Sequence, residues 1–248
     1  MKVLISGYLG HMGQILSKMI NDDNELEVAC GVVRSIDLKK DNIKCFKNFD
    51  DVDVDIDMIV DFSHHSLTKD LTTFAIKNHK PLVIATTGQT DEEKDMIVNA
   101  SEKIPIFFAA NYSIGIAVLI KEAKDVAKIM NNADIEIVET HHNRKLDAPS
   151  GTALMIAENL KKVRLDANIV CGRSGNKHRE KNDIGVNSIR LGNVVGIHEV
   201  LISTEHECIS LKHEAYDRKL FAEGAIRAIK FLNGKPNGLY DMNSILSL

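Results

Sequence analysis

The sequence predicts an α/β protein: a doubly wound parallel sheet, then a second α+β domain built on a mixed sheet. Three observations predict it. Short, continuous apolar runs alternate with helical patterns through the first half, as expected of strands buried on both faces. A glycine-punctuated turn, Gly7-Tyr8-Leu9-Gly10-His11-Met12-Gly13, separates the first run from the first helix. Past Tyr112 the order changes to a long helix and then neighbouring strands divided by turn signals.

Taken in order, Val3-Leu4-Ile5 is the first strand and Gln14 to Ile20 its helix. Leu26 to Val33 is the second strand. Met58 to Phe62 is the third, followed by a helix from Leu67 to Asn78. Leu82 to Ala85 is the fourth. Thr90-Asp91-Glu92-Glu93 is a capping box, in which the Thr90 hydroxyl and the Glu93 carboxylate satisfy free backbone donors; its helix runs to Lys103. Ile106 to Ala109 is the fifth strand.

In the second half a helix from Ile114 to Met130 leads into a strand from Ile135 to Glu139. A helix follows from Gly151 to Lys162, then strands at Val186 to Arg190, Val194 to Ile202 and Cys208 to His213. Asn168 to Asn187 is polar and carries glycine, which predicts a mobile loop. The last helix, Leu220 to Leu232, spaces Phe221, Ala225, Ile229 and Leu232 along one face, as if to pack back on the first domain. The expected domains are residues 1–112, which bind a dinucleotide, 113–216, which hold substrate, and 217–248, which return to the first.

The chain has 248 residues, 44% apolar and 27% charged, with a net charge of −4 and no basic block, so nucleic-acid binding has no electrostatic support. No apolar run approaches the ~20 residues of a membrane span, and the run at Val3 is short for a signal peptide. A cytoplasmic chain is expected. Cys30, Cys45, Cys171 and Cys208 are scattered, which predicts buried thiols and no metal site.

The Gly7–Gly13 turn sits where a Rossmann-type fold needs glycines, for the turn and for backbone approach to a pyrophosphate. Its spacing is G-x-x-G-x-x-G, with Leu9 in the middle position of the usual G-x-G. The other strand ends, Arg34-Ser35, Asp61-Phe62-Ser63, Thr86-Thr87-Gly88 and Ala110-Asn111-Tyr112-Ser113, carry small or polar groups on what would be one edge. The second strand ends on Val33 and Arg34 instead of an acid. Arg34 can pair with a 2′-phosphate, which favours NADPH, with NADH as a possible second cofactor.

The richest stretch is Glu139-Thr-His-His-Asn-Arg-Lys-Leu-Asp-Ala-Pro-Ser-Gly-Thr152. Titratable side chains stand beside the opening of a helix, whose free N–H groups hold an anion. Duller readings exist for single residues. In a regular strand His141 and His142 point to opposite faces, Asp147 can cap the helix, and Arg144 can make a surface ion pair.

This stretch resembles the signature of the dihydrodipicolinate (4-hydroxy-tetrahydrodipicolinate) reductase family. Gly10-His-Met-Gly13, Ala85-Thr-Thr-Gly88, Ala109-Ala-Asn-Tyr-Ser113, Gly192-Asn-Val-Val-Gly-Ile-His198, Phe221-Ala-Glu-Gly-Ala225 and Gly238-Leu-Tyr-Asp-Met242 follow in the family's order. The resemblance implies NAD(P)H-dependent reduction of a small cyclic dicarboxylate in the diaminopimelate route to lysine, by a homotetramer without a metal. It implies that His141 donates and accepts a proton and that Lys145 donates one. It places His142, Gly151 and Thr152 on substrate. It places Gly7, Tyr8, Leu9, Gly10, His11, Met12, Arg34, Asp61, Phe62, Ala85, Thr86, Thr87, Gly88, Ala109, Ala110, Asn111 and Tyr112 at the cofactor. Two other readings stay open: a non-catalytic NAD(P)-binding sensor, and a reductase of another imino or keto acid.

Overall fold

The computed structural model describes residues 1–34 and 43–247; Ser35, expected at a strand end, lies outside them. The chain divides into two compact units, Met1–Ser113 with Lys219–Leu248, and Ile114–Arg218.

The first unit holds a seven-stranded, all-parallel sheet. In chain order its elements are β1 (Lys2–Ser6), α1 (His11–Asn21), β2 (Glu27–Val32), β3 (Cys45–Phe46), β4 (Met58–Asp61), α2 (Thr68–Lys77), β5 (Leu82–Ile84), α3 (Asp91–Ser101) and β6 (Pro105–Phe108). The chain returns to this unit later with α6 (Lys219–Leu232), β12 (Gly238–Tyr240) and α7 (Met242–Leu246). The strand order is β12-β6-β5-β4-β1-β2-β3, so the winding reverses between β1 and β4. Ligands of open α/β sheets bind beyond the strand C-termini at such a switch point.

Alternate residues of each strand feed two cores. Leu4, Ile59, Leu82 and Ile106 meet Leu71, Phe74 and Ala75 of α2 and Ile97 of α3. On the other face α6 packs on α1 and on β4 to β6, with the Phe107 and Phe231 rings edge to face at 6.0 Å. Gly224 lets α6 sit this close, because a Cβ there would fall on the Tyr112 carbonyl. The capping box of α3 forms: the Thr90 hydroxyl accepts from Glu93 N (3.2 Å), and the Glu93 carboxylate accepts from Thr90 N (2.8 Å).

The second unit holds a five-stranded mixed sheet, in the order β11-β10-β7-β9-β8. Its elements are α4 (Ile114–Ile129), β7 (Asp134–His141), α5 (Gly151–Lys161), β8 (Asn168–Cys171), β9 (Asp183–Arg190), β10 (Gly196–Ser203) and β11 (Cys208–Ala215). Ile135, Ile137, Val186, Val200 and Ile202 on one sheet face bury against Ile116, Leu119 and Ala123 of α4 and Ala153, Ile156 and Leu160 of α5.

The expected loop at Asn168 to Asn187 needs correction. Its ends are strands, with β8 pairing parallel to β9 from Asn168↔Asp183 to Cys171↔Val186. The β-branched pair Ile169-Val170 supplies an apolar edge that the polar composition around it conceals. The expectation of buried thiols holds for Cys30, whose thiol burial pushes up to about 12, but Cys171 and Cys208 are exposed at the edge strands β8 and β11.

Candidate active site

The end of β1 is shaped by two glycines that tolerate no side chain. Gly7 has φ +80°, and a Cβ there would stand 2.5 Å from the Phe62 carbonyl oxygen. A Cβ on Gly13 would stand 2.3 Å from the Gly7 carbonyl oxygen. The turn therefore folds back under the first turn of α1, whose N-cap is Gly10 with no side-chain cap. Bare N–H groups at a helix start attract an anion.

Beside this turn lies a cavity of about 530 Å3. It brings together the expected Gly7, Leu9, Gly10, Arg34 and Phe62. Ser63, expected at a strand end, lines it too, as do Lys47, His64, Ser66 and Leu67, which sequence reasoning missed. Lys47 follows the two-residue strand β3, which is too short to leave a periodic signal. No carboxylate is among the described residues that line the cavity. Leu9 stands at it 39% exposed. His11 and Met12 form the first turn of α1.

Three residues expected at the cofactor carry side chains that the structure buries elsewhere. Tyr8 packs on Gly31, where a Cβ would clash with its ring. Asp61 is 2% exposed and accepts from Ser63 Oγ and Ser63 N. Tyr112 donates its hydroxyl to Ile84 O at 2.8 Å. A position in a motif does not reveal whether a side chain turns inward. Ala85 to Gly88 and Ala109 to Asn111 follow β5 and β6 on the same sheet edge but do not line the cavity.

The second unit assembles a side-chain network. Strand pairing sets His141 opposite Arg190 and Glu139 opposite His198. His141 Nδ1 lies 2.5 Å from Glu139 Oε2. Arg190 donates to both carboxylate oxygens, at 2.9 and 2.8 Å, and Ser150 N donates at 3.1 Å. Glu139 is fully buried, which raises a carboxyl, yet the bonds from Arg190 and His141 outweigh burial and pull it to about 2. The His198 ring stands edge-on to His141 at 5.2 Å. Burial, and then the His141 charge, lower His198 to about 4, so it is neutral at physiological pH. Gly196 keeps His141 Nε2 clear, since a Cβ there would approach to 3.1 Å.

Lys145 Nζ lies 2.8 Å from Asp147 Oδ1 and holds that carboxyl below the usual range. The helix cap is Ser150, which accepts from Ala153 N at 3.2 Å, so Asp147 pairs with Lys145 and does not cap. Arg144 donates to Asn193 Oδ1 (2.6 Å). Burial and then the charges of Arg144 and Arg218 lower His142, whose buried Nδ1 has no partner. The space above Gly151 is open: beyond its chain neighbours and its own helix, no atom of the described residues lies within 4 Å of where its Cβ would be. A small anion can thus reach the start of α5 beside two proton-bearing groups.

The comparisons with known proteins cover both units. Residues 1–112 match the family described as dihydrodipicolinate reductase, N-terminus, and residues 115–246 match its C-terminus. The chain belongs to the dihydrodipicolinate reductase family. A 4-hydroxy-tetrahydrodipicolinate reductase of Clostridium tetani is 41% identical over 99% of this chain and 97% of its own length. One of Clostridium novyi is 40% identical over 99% and 98%. The dipicolinate-bound dihydrodipicolinate reductase of Paenisporosarcina sp. TG-14 superposes with a TM-score of 0.82 at 25% identity, covering 98% of both chains. The geometry adds Arg190, which lies outside the motifs read from the sequence and meets Glu139 through strand pairing; it gives roles to Gly196 and His198, which fall in one of those motifs, and it brings in Arg218, whose charge acts on His142.

Among the described residues no cluster of His, Cys, Asp and Glu is placed to hold a metal, and no helix is long and apolar enough to cross a membrane.

Proposed function

We propose that the chain reduces 4-hydroxy-tetrahydrodipicolinate with NAD(P)H to tetrahydrodipicolinate and water, in the diaminopimelate route to lysine. The observation that carries this reading is the grouping of His141, Lys145 and the open start of α5 in one unit. It accords with family matches over both halves of the chain.

A dinucleotide bound at the Gly7–Gly10 turn supplies the hydride. The chain's own groups do the rest. The N–H groups of Gly151 and Thr152 hold one substrate carboxylate without competing for protons, and His142 lies alongside. The ring hydroxyl leaves with a neighbouring C–H proton as water, so this elimination consumes no net proton. Hydride added to the conjugated ring so formed would leave negative charge on it, which His141 and Lys145 stabilise while they deliver the one proton that completes the reduction.

Arg34 and Lys47 at the cavity, with no carboxylate lining it, support NADPH over NADH. Tyr8, His11, Met12, Ala85, Thr86, Thr87, Gly88, Ala109, Ala110 and Asn111 would serve the dinucleotide through backbone or neighbouring contacts. The sheet face of the second unit opposite α4 and α5 carries Val138, Ile189, Ile197 and Leu201, with Ile189 44% exposed. That face supports assembly of copies into a homotetramer, and sedimentation that gives a monomer would reject it; a cytoplasmic location goes with the proposed biosynthetic role.

The test is nicotinamide oxidation at 340 nm wavelength, about the usual reporting band, with freshly generated substrate. Turnover with either cofactor is expected. Tight dinucleotide binding without turnover would instead make the chain a sensor, and turnover only with other imino or keto acids would change the substrate. Arg34→Ala should raise the KM for NADPH about tenfold and leave NADH nearly unchanged. An unchanged preference would place the 2′-phosphate elsewhere.

A further inference from the structure

His141 is only half of a unit. Its Nδ1 is occupied by a carboxylate that nothing else in the reaction needs, and that carboxylate is 0% exposed. Glu139 uses both oxygens: Oε2 receives His141 and one Arg190 N–H, while Oε1 receives the other Arg190 N–H and the Ser150 backbone N–H. Arg190 also donates to the Asp147 carbonyl at 2.6 Å. Asp147 in turn pairs with Lys145. One buried ion pair therefore touches the mounting of three groups assigned to the reaction: His141 directly, Lys145 through Asp147, and the start of α5 through Ser150.

We propose that Glu139, bracketed by Arg190, is the positioning residue that fixes His141 as an Nδ1–H donor, turns its Nε2 towards substrate, and locks that nitrogen in register with the anion-binding start of α5. This rests on the reductase reading above. A neutral imidazole has one N–H; with the carboxylate holding it on Nδ1, Nε2 is the nitrogen that takes up a proton and hands it on, and the Glu139 charge stabilises the imidazolium in between. The two bonds from Arg190 keep Glu139 ionised, so it holds the His141 proton without taking it. Gly196 leaves the opposite nitrogen uncovered. The Ser150 hydroxyl also lies 3.3 Å from His198 Nε2, which ties the second ring to the same helix start. Glu139, with no exposed surface, acts through the groups it holds.

The experiment is Glu139→Gln, read by steady-state kinetics and by 15N NMR of the His141 ring. Glutamine preserves size and an acceptor oxygen but removes the charge. The expected result is a fall in kcat on the order of 100-fold, with the KM for the dicarboxylate and the affinity for dinucleotide changed by less than about threefold. In the native chain the ring should show a protonated Nδ1; in the variant that proton should redistribute to Nε2. A purely structural carboxylate would leave the tautomer unmoved. If Glu139→Gln alone fails to fold because it strands the Arg190 charge, the double variant Glu139→Gln with Arg190→Gln carries the same expectations. Native turnover and native tautomer in a folded variant would overturn the proposal. The NMR readout does not require turnover, so a native chain that shows the Nδ1 proton but reduces no dicarboxylate would fail the reductase reading and leave the positioning claim standing.

Discussion

Each unit buries one carboxyl beside its candidate ligand edge, and the two are satisfied in opposite ways. Asp61, at the end of β4, receives the Ser63 N–H and hydroxyl; the buried hydroxyls of Ser6 and Thr86 neighbour it without meeting hydrogen-bond geometry. Burial pushes its carboxyl above the ordinary range, which favours the neutral form. Glu139 is buried as completely, but Arg190 and His141 hold it ionised. The difference follows the task. An edge that receives an anionic dinucleotide gains nothing from a fixed negative charge, whereas an imidazole with the proton-delivering role proposed for His141 gains from one. The two helix starts repeat the contrast: α1 begins at an uncapped glycine, and α5 at a serine tied to Glu139.

If the first unit depends on shape and the second on charge, a methyl group should be ruinous in one and tolerable in the other. Gly13→Ala is expected to have the largest effect, because its Cβ would meet two backbone oxygens, Gly7 O at 2.3 Å and Tyr8 O at 2.7 Å. Neither can yield without reshaping the turn, so a loss of about 3 kcal/mol or more is expected in urea unfolding, with dinucleotide binding lost. A variant with native stability would show that the turn is looser than its packing indicates.

Charge removal in the second unit comes next. Lys145→Ala should lower kcat on the order of 100-fold and leave dinucleotide affinity and the urea midpoint nearly native, since the ammonium is partly exposed and its ion pair among the described residues is with Asp147. Equal losses in turnover and cofactor binding would contradict a proton-donor role.

The same division explains what was legible in the sequence. The parallel sheet was legible because β4 and β5 are buried on both faces and so read as unbroken apolar runs, and because Thr90 and Glu93 announce a helix start locally. The glycine turn was legible because its demands fall within seven residues. The strands β3 and β12, of two and three residues, hold too few side chains for any period. The His141–Lys145 cluster was legible by density, but its partner Arg190 stands 51 residues from Glu139 and joins it only through parallel pairing of β7 with β9. Tyr8 and Asp61 show the converse: adjacency to a motif placed them at the edge, while packing turned their side chains away from the cavity.

Gly151 sharpens the contrast at smaller scale. Open space surrounds its Cβ position, unlike that of Gly13. Gly151→Ala should therefore leave the urea midpoint unchanged or raise stability by up to about 1 kcal/mol, because alanine suits a helix better than glycine. The methyl would occupy the space an anion needs, so the KM for the dicarboxylate should rise about tenfold while NADPH affinity holds. An unaltered KM would move the carboxylate away from the start of α5.

The two carboxyls should also leave opposite marks on stability against pH. Asp61 has a raised folded pKa, so its contribution is fully present below the unfolded value of about 3.9 and is lost as pH rises through the folded value. Glu139 is depressed to about 2, so its contribution is present above the unfolded range and is lost as pH falls towards 2. Asp61→Asn keeps an acceptor for Ser63 and removes the charge, and the Ser6 and Thr86 hydroxyls offer its new N–H groups partners. The variant should gain about 1 kcal/mol at pH 8 and little or nothing at about pH 3, below the unfolded value, where the native carboxyl is mostly neutral whether folded or unfolded. Urea midpoints at the two pH values decide it. A variant that loses stability at both would mean that the ionised carboxylate is held by something stronger than hydroxyls, and the opposition between the two units would collapse.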